Sequence, residues 1–238
     1  MKVIIACGGK GERMYPLTKE VPKPLLPVEG KPVLLHLIEM LRKQGIIDIV
    51  ITAGYLADQI KDFLGDGSRF GVKVEYLLER EPMGTAGVLS ELKPMDQTYL
   101  MMYGDVMVNM DLHKLLDFHQ RNKSQVTLVV HPSNHPQDSD VVCLDKENKV
   151  TDIVHRPTSD EFGNVTSAAL YVLDKEAIAA IPRRKTDFAK DLFPVFLKTF
   201  RTYGYTTPEY LKDMGTPERY QKVCEDVRNG TFARGRLP

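Results

Sequence analysis

Apolar positions in the first hundred residues switch repeatedly between two spacings. Val3-Ile4-Ile5-Ala6 is a short continuous apolar run and reads as a buried strand. Val33, Leu34, Leu37, Ile38 and Leu41 then recur at helical spacing, after Pro32, which suits a first helical position, and before a stop at Gln44-Gly45. The run 47–52 reads as a second strand. Ala57, Ile60, Phe63 and Leu64 mark a second helix ended by Gly65-Asp66-Gly67, and 72–78 reads as a third strand. A short helix over 85–92 and a fourth strand over 98–103 follow. This alternation predicts an α/β fold with a doubly wound, mostly parallel sheet. Such sheets bind ligands beyond the carboxyl ends of their strands, so the loops at 8–14, 79–85 and 104–107 are expected to share one edge.

The pattern is less regular after position 110. A helix is predicted over 111–122 with Asp111 as N-cap. Strands are predicted over 125–131, 140–144, 149–155 and 167–173, with Glu147-Asn148 as a hairpin turn. Helices are predicted over 175–180, 188–199 and 217–229, the last stopped by Asn229-Gly230. The tail 231–238 is small, basic and non-periodic, and reads as a linker. No linker of distinct composition divides the chain before it.

Composition narrows the function. The 238 residues are 42% apolar, enough for a real core, and Lys+Arg balance Asp+Glu at 32 each. No global field therefore favours nucleic acid or an anionic membrane. Cys7, Cys143 and Cys224 are too dispersed for a metal cluster or a disulfide framework, which suits a reducing cytoplasm. Residues 3–7 are too short for the apolar run of a secretion leader, and no run approaches membrane-spanning length. His131, His135 and His155 lack zinc spacing, and no Ser/His/Asp arrangement stands out.

Candidate chemistry starts where the first strand ends, in Ala6-Cys7-Gly8-Gly9-Lys10-Gly11-Glu12-Arg13-Met14-Tyr15-Pro16-Leu17-Thr18, followed by Pro22-Lys23-Pro24-Leu25-Leu26-Pro27-Val28. Three glycines in four positions leave backbone N–H groups uncovered, and such groups cradle phosphate oxygens. Lys10, Arg13 and Lys23 add positive charge around them. The glycines alone read better as a plain turn with solvated basic residues. The spacing is neither that of a Walker loop nor a good dinucleotide fingerprint. The combination, Gly-Gly-x-Gly-x-Arg-Met-x-Pro-Leu-Thr and then Pro-Lys-Pro-Leu-Leu-Pro-Val, resembles the signature of the sugar-1-phosphate nucleotidyltransferases. The resemblance extends over nearly the whole chain. It implies a Rossmann-like fold, a single domain over 1–230 with a nucleotide half over 1–110 and a smaller, β-rich, sugar-facing half over 111–230, and phosphates held by Arg13 and Lys23. Ala6, Gly8, Gly9, Lys10 and Gly11 would then wrap a nucleoside triphosphate.

Other stretches extend the resemblance. Tyr103-Gly104-Asp105 and Lys212-Asp213-Met214-Gly215-Thr216-Pro217 match the two segments whose aspartates jointly hold Mg²⁺ in the family. Taken alone, Asp105 reads better as a turn cap, and Thr216-Pro217 is simply a helix start. Glu79-Arg80-Glu81-Pro82-Met83-Gly84-Thr85-Ala86 resembles the family's Glu-x-x-x-Gly-Thr-Ala segment, which implies contact of Glu79, Gly84 and Thr85 with the base; Thr85 is equally an N-cap. His155-Arg156-Pro157 stands where Glu-Lys-Pro is usual, so Arg156 would grip the sugar phosphate and His155 is a departure. Ser167-Ala168-Ala169-Leu170-Tyr171 stands for Asn-Ala-Gly-Ile-Tyr, which makes Ser167 a sugar-side candidate. Gly104 and Lys212 complete that set, with Lys212 either reaching a phosphate or simply solvated.

The resemblance implies transfer of a nucleotide to a sugar 1-phosphate with release of pyrophosphate, with Mg²⁺ on Asp105 and Asp213. The stretches 130–136, 187–194 and 208–219 are similar to the nucleotidyltransferase half of two-domain bacterial proteins fused to a haloacid-dehalogenase-type phosphatase. That points to GTP and D-glycero-α-D-manno-heptose 1-phosphate, and to a fused or separate phosphatase partner, with 231–238 as the joint. Mannose 1-phosphate with GTP, and glucose 1-phosphate with UTP or dTTP, are the runners-up. A regulatory subunit that only binds nucleotide sugars, or a cytidylyltransferase acting on a phospho-alcohol, are the other readings. The presence of Arg13, Lys23, Asp105 and Asp213 favours an enzyme. No hexapeptide repeat is present, so the β-helical acetyltransferase tail of some relatives is not expected. A monomer or a homodimer is expected.

Overall fold

The first strand and its partners form as the apolar runs require. In a computed structural model, which describes residues 1–95 and 97–235, the chain runs in order through thirteen strands and seven helices. The first part holds β1 (Lys2–Ala6), β2 (Pro27–Val28), β3 (Lys31–Pro32), α1 (Val33–Lys43), β4 (Asp48–Ala53), α2 (Ala57–Leu64) and β5 (Lys73–Leu78). Next come β6 (Tyr99–Tyr103), β7 (Val106–Asn109), α3 (Leu112–Arg121), β8 (Val126–Pro132), β9 (Asp140–Leu144), β10 (Val150–His155) and β11 (Val165–Leu173). The chain continues with α4 (Lys175–Ala179), α5 (Phe193–Thr199), β12 (Thr202–Thr206), β13 (Tyr210–Asp213), α6 (Pro217–Arg228) and α7 (Thr231–Arg234).

Two compact units are interleaved along this order rather than following one another as halves. The first comprises Met1–Pro82, Met102–Asp111 and the chain from Pro208 onward; the second comprises Met83–Met101 and Leu112–Thr207. In the first unit β1 pairs with β4 and β4 with β5, both in parallel. Val3, Ile4 and Ile5 are wholly buried, as a central parallel strand demands. In the second unit β11 pairs antiparallel with β8 and β9, β9 with β10, and β12 joins β8 in parallel. The α/β expectation therefore holds: β1, β4 and β5 are parallel in the first unit, and the second combines antiparallel pairs with the parallel pair β8–β12.

Several local expectations change. The tail is not wholly a linker: 231–234 is the helix α7, and Phe232 packs edge-on to Tyr210 and His36 while its carbonyl accepts from Asn109 Nδ2 at 2.8 Å. An aromatic anchor outweighs the short, basic composition; Arg236, Leu237 and Pro238, the end of that predicted linker, lie outside the described residues. Pro32 caps α1 instead of starting it. The predicted helix 85–92 is a 3-10 turn over Gly87–Glu91, and 188–199 is a π-turn, Phe188–Leu192, leading into α5. β7, β12 and β13 were not visible in the apolar pattern at all.

Histidines that the sequence left ungrouped separate by environment. His119, 3% exposed, bonds Thr127 Oγ1 through Nδ1 at 2.8 Å and Asp174 Oδ1 through Nε2 at 3.2 Å. Its ring thus satisfies two polar groups inside the second unit. His119→Leu should lower stability by about 1–3 kcal/mol, because the wholly buried Thr127 hydroxyl loses its partner. Comparison of urea midpoints at equal slope reads this directly.

Candidate active site

The glycine-rich loop is built by anchoring its two ends. At the start, the Cys7 amide donates to the Thr52 carbonyl at 2.7 Å, which ends β1 in register with β4. At the far end, the Met14 amide donates to the Gly11 carbonyl at 2.8 Å and its side chain is wholly buried. Thr18, also buried, donates its hydroxyl to the same carbonyl at 2.8 Å. Gly11 sits at φ +66°, and a Cβ there would also press on Lys23 Cε and Thr18 at 3.2 Å. Gly9 differs: a Cβ on it would meet nothing within 4 Å, so the surrounding protein does not require a glycine at this position. Lys10 and Arg13 are exposed on either side.

Both expected carboxylates come to this edge. Gly104 follows β6 with its amide donating to the Ala6 carbonyl at 2.8 Å, and a Cβ there would lie 2.6 Å from Cys7 Sγ. That close approach is packing inside the protein and accounts for Gly104 without a ligand. Asp105 comes next and receives Lys23 Nζ at 2.9 Å. β13 pairs antiparallel with β7 so that Asp213 lies opposite Val106, and the Met214 amide donates to the Asp105 carbonyl at 3.0 Å. The two aspartates, 108 positions apart in sequence (213 − 105), are thus one ladder step apart. Asp213 Oδ1 accepts the Gly215 amide at 2.8 Å, and Arg219 Nη1 reaches its two oxygens at 3.1 and 3.2 Å. A Cβ on Gly215 would sit 2.7 Å from Asp213 Oδ1 and 3.0 Å from Arg13 Nη2, so Arg13 closes on the same point. Glu79 approaches from the end of β5: a Cβ on Gly8 would lie 2.8 Å from its Oε1.

The first unit therefore brings together Ala6, Gly8–Gly11, Arg13, Lys23, Glu79, Asp105 and Asp213. The donor set suits Mg²⁺: it offers hard carboxylate oxygens, no thiolate or imidazole, and among the described residues no third His, Cys, Asp or Glu to complete an all-protein cage. Mg²⁺ is commonly held by one or two carboxylates and by phosphate oxygens.

Lys212 is not simply solvated: its ammonium lies 2.7 Å from Asp226 Oδ2 and over the Tyr210 ring. Asp226, 2% exposed, also accepts the Tyr210 hydroxyl at 2.8 Å. Burial alone would raise this carboxyl's pKa; the Lys212 and Tyr210 hydrogen bonds hold it below the usual range. This knot ties α6 to β13 just before Asp213, and Val223, Tyr210, Met214 and Met107 pack around it.

The remaining candidates lie in the second unit. Gly84 has φ +77°, and a Cβ on it would collide with the Thr186 carbonyl. Thr85 does not cap a helix; its hydroxyl donates to Asp187 Oδ2 at 3.0 Å and accepts the Phe188 amide at 2.8 Å. Arg156 is exposed at φ +47°, with its amide on the Ser139 carbonyl. Ser167 opens a register break in β11, its hydroxyl accepting the Ala169 amide at 3.3 Å. Thr18, Arg219 and Asp226 were missed as supporting residues. Thr18 stood inside the motif without a role, Arg219 six residues beyond Asp213, and Asp226 carried no local signal.

Known proteins resemble this chain in sequence and in fold. The family model described as "Nucleotidyl transferase" matches residues 2–230, and the chain belongs to that family. It is 34% identical over 232 residues, 95% of its length, to a mannose-1-phosphate guanylyltransferase of Mycobacterium tuberculosis, and 33% identical over 228 residues, 92% of its length, to a mannose-1-phosphate guanyltransferase of Kluyveromyces lactis. It spans only 64% and 63% of those relatives. Among solved structures, HddC from Yersinia pseudotuberculosis superposes with a TM-score of 0.82 at 28% identity, covering 95% of this chain and 99% of that one. The same protein complexed with GMP-PN gives 0.80 at 27%, with the same coverage. No helix among the described residues is long and apolar enough to cross a membrane.

The buried knot generates a prediction. Asp226 has a depressed folded-state pKa, so its contribution to stability is full above the unfolded value near 4 and is lost as pH falls through the folded one. Asp226→Asn should cost about 1–3 kcal/mol between pH 5 and 8, and the difference from wild type should shrink below about pH 4. Urea titrations across that range measure it.

Proposed function

We propose that this chain is a sugar-1-phosphate nucleotidyltransferase, joining a nucleoside triphosphate to a sugar 1-phosphate and releasing pyrophosphate. The observation that carries the reading is the convergence of the Gly8–Gly11 backbone, Arg13 and the Lys23–Asp105 pair with Asp213 at one edge of the first unit. An oxygen of the sugar phosphate attacks the α-phosphorus, the bond from that phosphorus to the α–β bridging oxygen breaks, and pyrophosphate leaves with the electron pair. The attacking oxygen is already anionic, so no side-chain base is needed, and catalysis is positioning plus charge stabilisation. Arg13 and the loop amides take the charge of the leaving pyrophosphate. Lys23 serves the α-phosphate, and Arg156 and Ser167 serve the sugar phosphate. Glu79, Gly84 and Thr85 serve the base side. Asp105 and Asp213 would hold Mg²⁺, which when bound supplies charge neutralisation to the phosphates.

GTP is the proposed nucleotide, supported by relatives named for guanylyl transfer and by the GMP-PN complex of HddC. A manno-configured sugar is proposed, D-glycero-α-D-manno-heptose 1-phosphate first, on the stretches 130–136, 187–194 and 208–219. Mannose 1-phosphate, given by the relatives' names, is its direct competitor. A cytoplasmic location accords with such substrates.

Pyrophosphate release by purified protein, across GTP, UTP, dTTP and CTP against a panel of sugar 1-phosphates with Mg²⁺, tests the reading. Release is expected only with GTP and a manno-configured 1-phosphate, and release with no pair would overturn the assignment. Arg13→Ala should lower kcat by about 100-fold or more without moving Tm, since Arg13 is exposed and carries no core packing. Unchanged turnover in that variant would remove Arg13 from the mechanism.

A further inference from the structure

We propose that Arg219 governs metal uptake at the two carboxylates: its guanidinium neutralises Asp213, so that a divalent cation enters with the triphosphate and not by itself. The inference rests on the nucleotidyltransferase reading above. Asp213 is engaged from two sides. Its Oδ1 accepts the Gly215 amide at 2.8 Å, and Arg219 Nη1 lies 3.1 and 3.2 Å from its two oxygens. One guanidinium nitrogen thus holds the same oxygens that a metal ion would use.

The charge around the pair gives a lone cation little to hold. Asp105 has Lys23 Nζ at 2.9 Å. Asp213 has Arg219, and Arg13 Nη2 closes on the same point beside Gly215. Each carboxylate therefore has its own cation, and a third stands by. A free divalent ion meets no net negative charge here, whereas a triphosphate attracts it strongly. A polyphosphate is also a better partner for a guanidinium than one carboxylate, because it offers several oxygens to the planar fork. Bound triphosphate therefore releases Asp213 to the ion that it carries.

Helix stability does not account for the guanidinium. Arg219 lies in the first turn of α6, where the helix's own field disfavours a cation. Its amide, not its side chain, serves the cap, donating to Thr216 Oγ1 at 3.3 Å. The Arg219 and Asp213 side chains are 25% and 47% exposed. An ion pair that exposed adds little to stability. Its effect on a charged ligand at the same oxygens is far larger, because the competing charges share one place.

Binding of Mn²⁺, the probe for Mg²⁺, tests this without turnover when followed by the paramagnetic resonance signal of the free ion. In the purified protein alone, Arg219→Gln should bind Mn²⁺ about 10- to 100-fold more tightly than wild type, and Arg219→Lys, which keeps the charge, within about three-fold of it. Asp213→Asn in the Arg219→Gln background should abolish the gain, which assigns it to this carboxylate. With GTP present and no sugar phosphate, wild type and Arg219→Gln should take up Mn²⁺ within about three-fold of each other. Should Arg219→Gln fail to fold, Arg219→Ala provides the same readout. Equal Mn²⁺ affinity of wild type and Arg219→Gln in the protein alone overturns the inference. So does a gain that survives Asp213→Asn, or one of the same size with GTP bound. Each of these leaves nucleotidyl transfer standing, because pyrophosphate release measures it independently. A wild type that releases no pyrophosphate with any pair of substrates overturns the reading on which the inference rests.

Discussion

The antiparallel pairing of β7 with β13 is the constraint on which the site depends. Each is only four residues long, and neither is read from its own apolar pattern. Together they set Asp213 opposite Val106, one step from Asp105. Short strands are weakly specified by themselves. Here the register is pinned from the side by a buried carboxylate: Asp226 on α6 takes both the Tyr210 hydroxyl and the Lys212 ammonium, two residues apart on β13. A one-residue slip would turn Tyr210 and Lys212 to the opposite face and strand Asp226 without partners. The knot thus fixes a register, and the register fixes the carboxylates.

Charge is balanced at the site before any ligand arrives. Asp105 is matched by Lys23, and Asp213 by Arg219 with Arg13 close by. Like carboxylates brought together without cations would repel, and cations gathered by themselves around a glycine loop would do the same. Interleaving them lets the edge fold while keeping hard anionic oxygens and cationic donors within one small region. A polyphosphate with a divalent ion has the complementary alternation of charge.

The glycines divide into two kinds on physical grounds. Gly104, Gly84 and Gly87 are demanded by protein atoms that a Cβ would strike: Cys7 Sγ, the Thr186 carbonyl and the Arg184 carbonyl. Gly9 is demanded by none of its surroundings. A position with open space, ordinary φ and no side chain is where backbone exposure itself is useful, which is the condition for an anion to approach main-chain N–H groups.

Periodicity was enough to place β1, α1, β4, α2, β5 and β6, because the apolar spacing of each is written locally. The loop signature and the aspartate motifs named the candidate chemistry for the same reason: the residues of each motif are contiguous. What the chain could not reveal by itself was any feature made by distant partners. The return of the 208–213 stretch to β7 and the commitment of Lys212 to Asp226 are pairings between separate elements that no local pattern announces. The docking of Phe232 on Tyr210 belongs with them, and it turned an apparent linker into a helix. Local composition sets which residues can bury or bond, and only the folded register decides which of them meet.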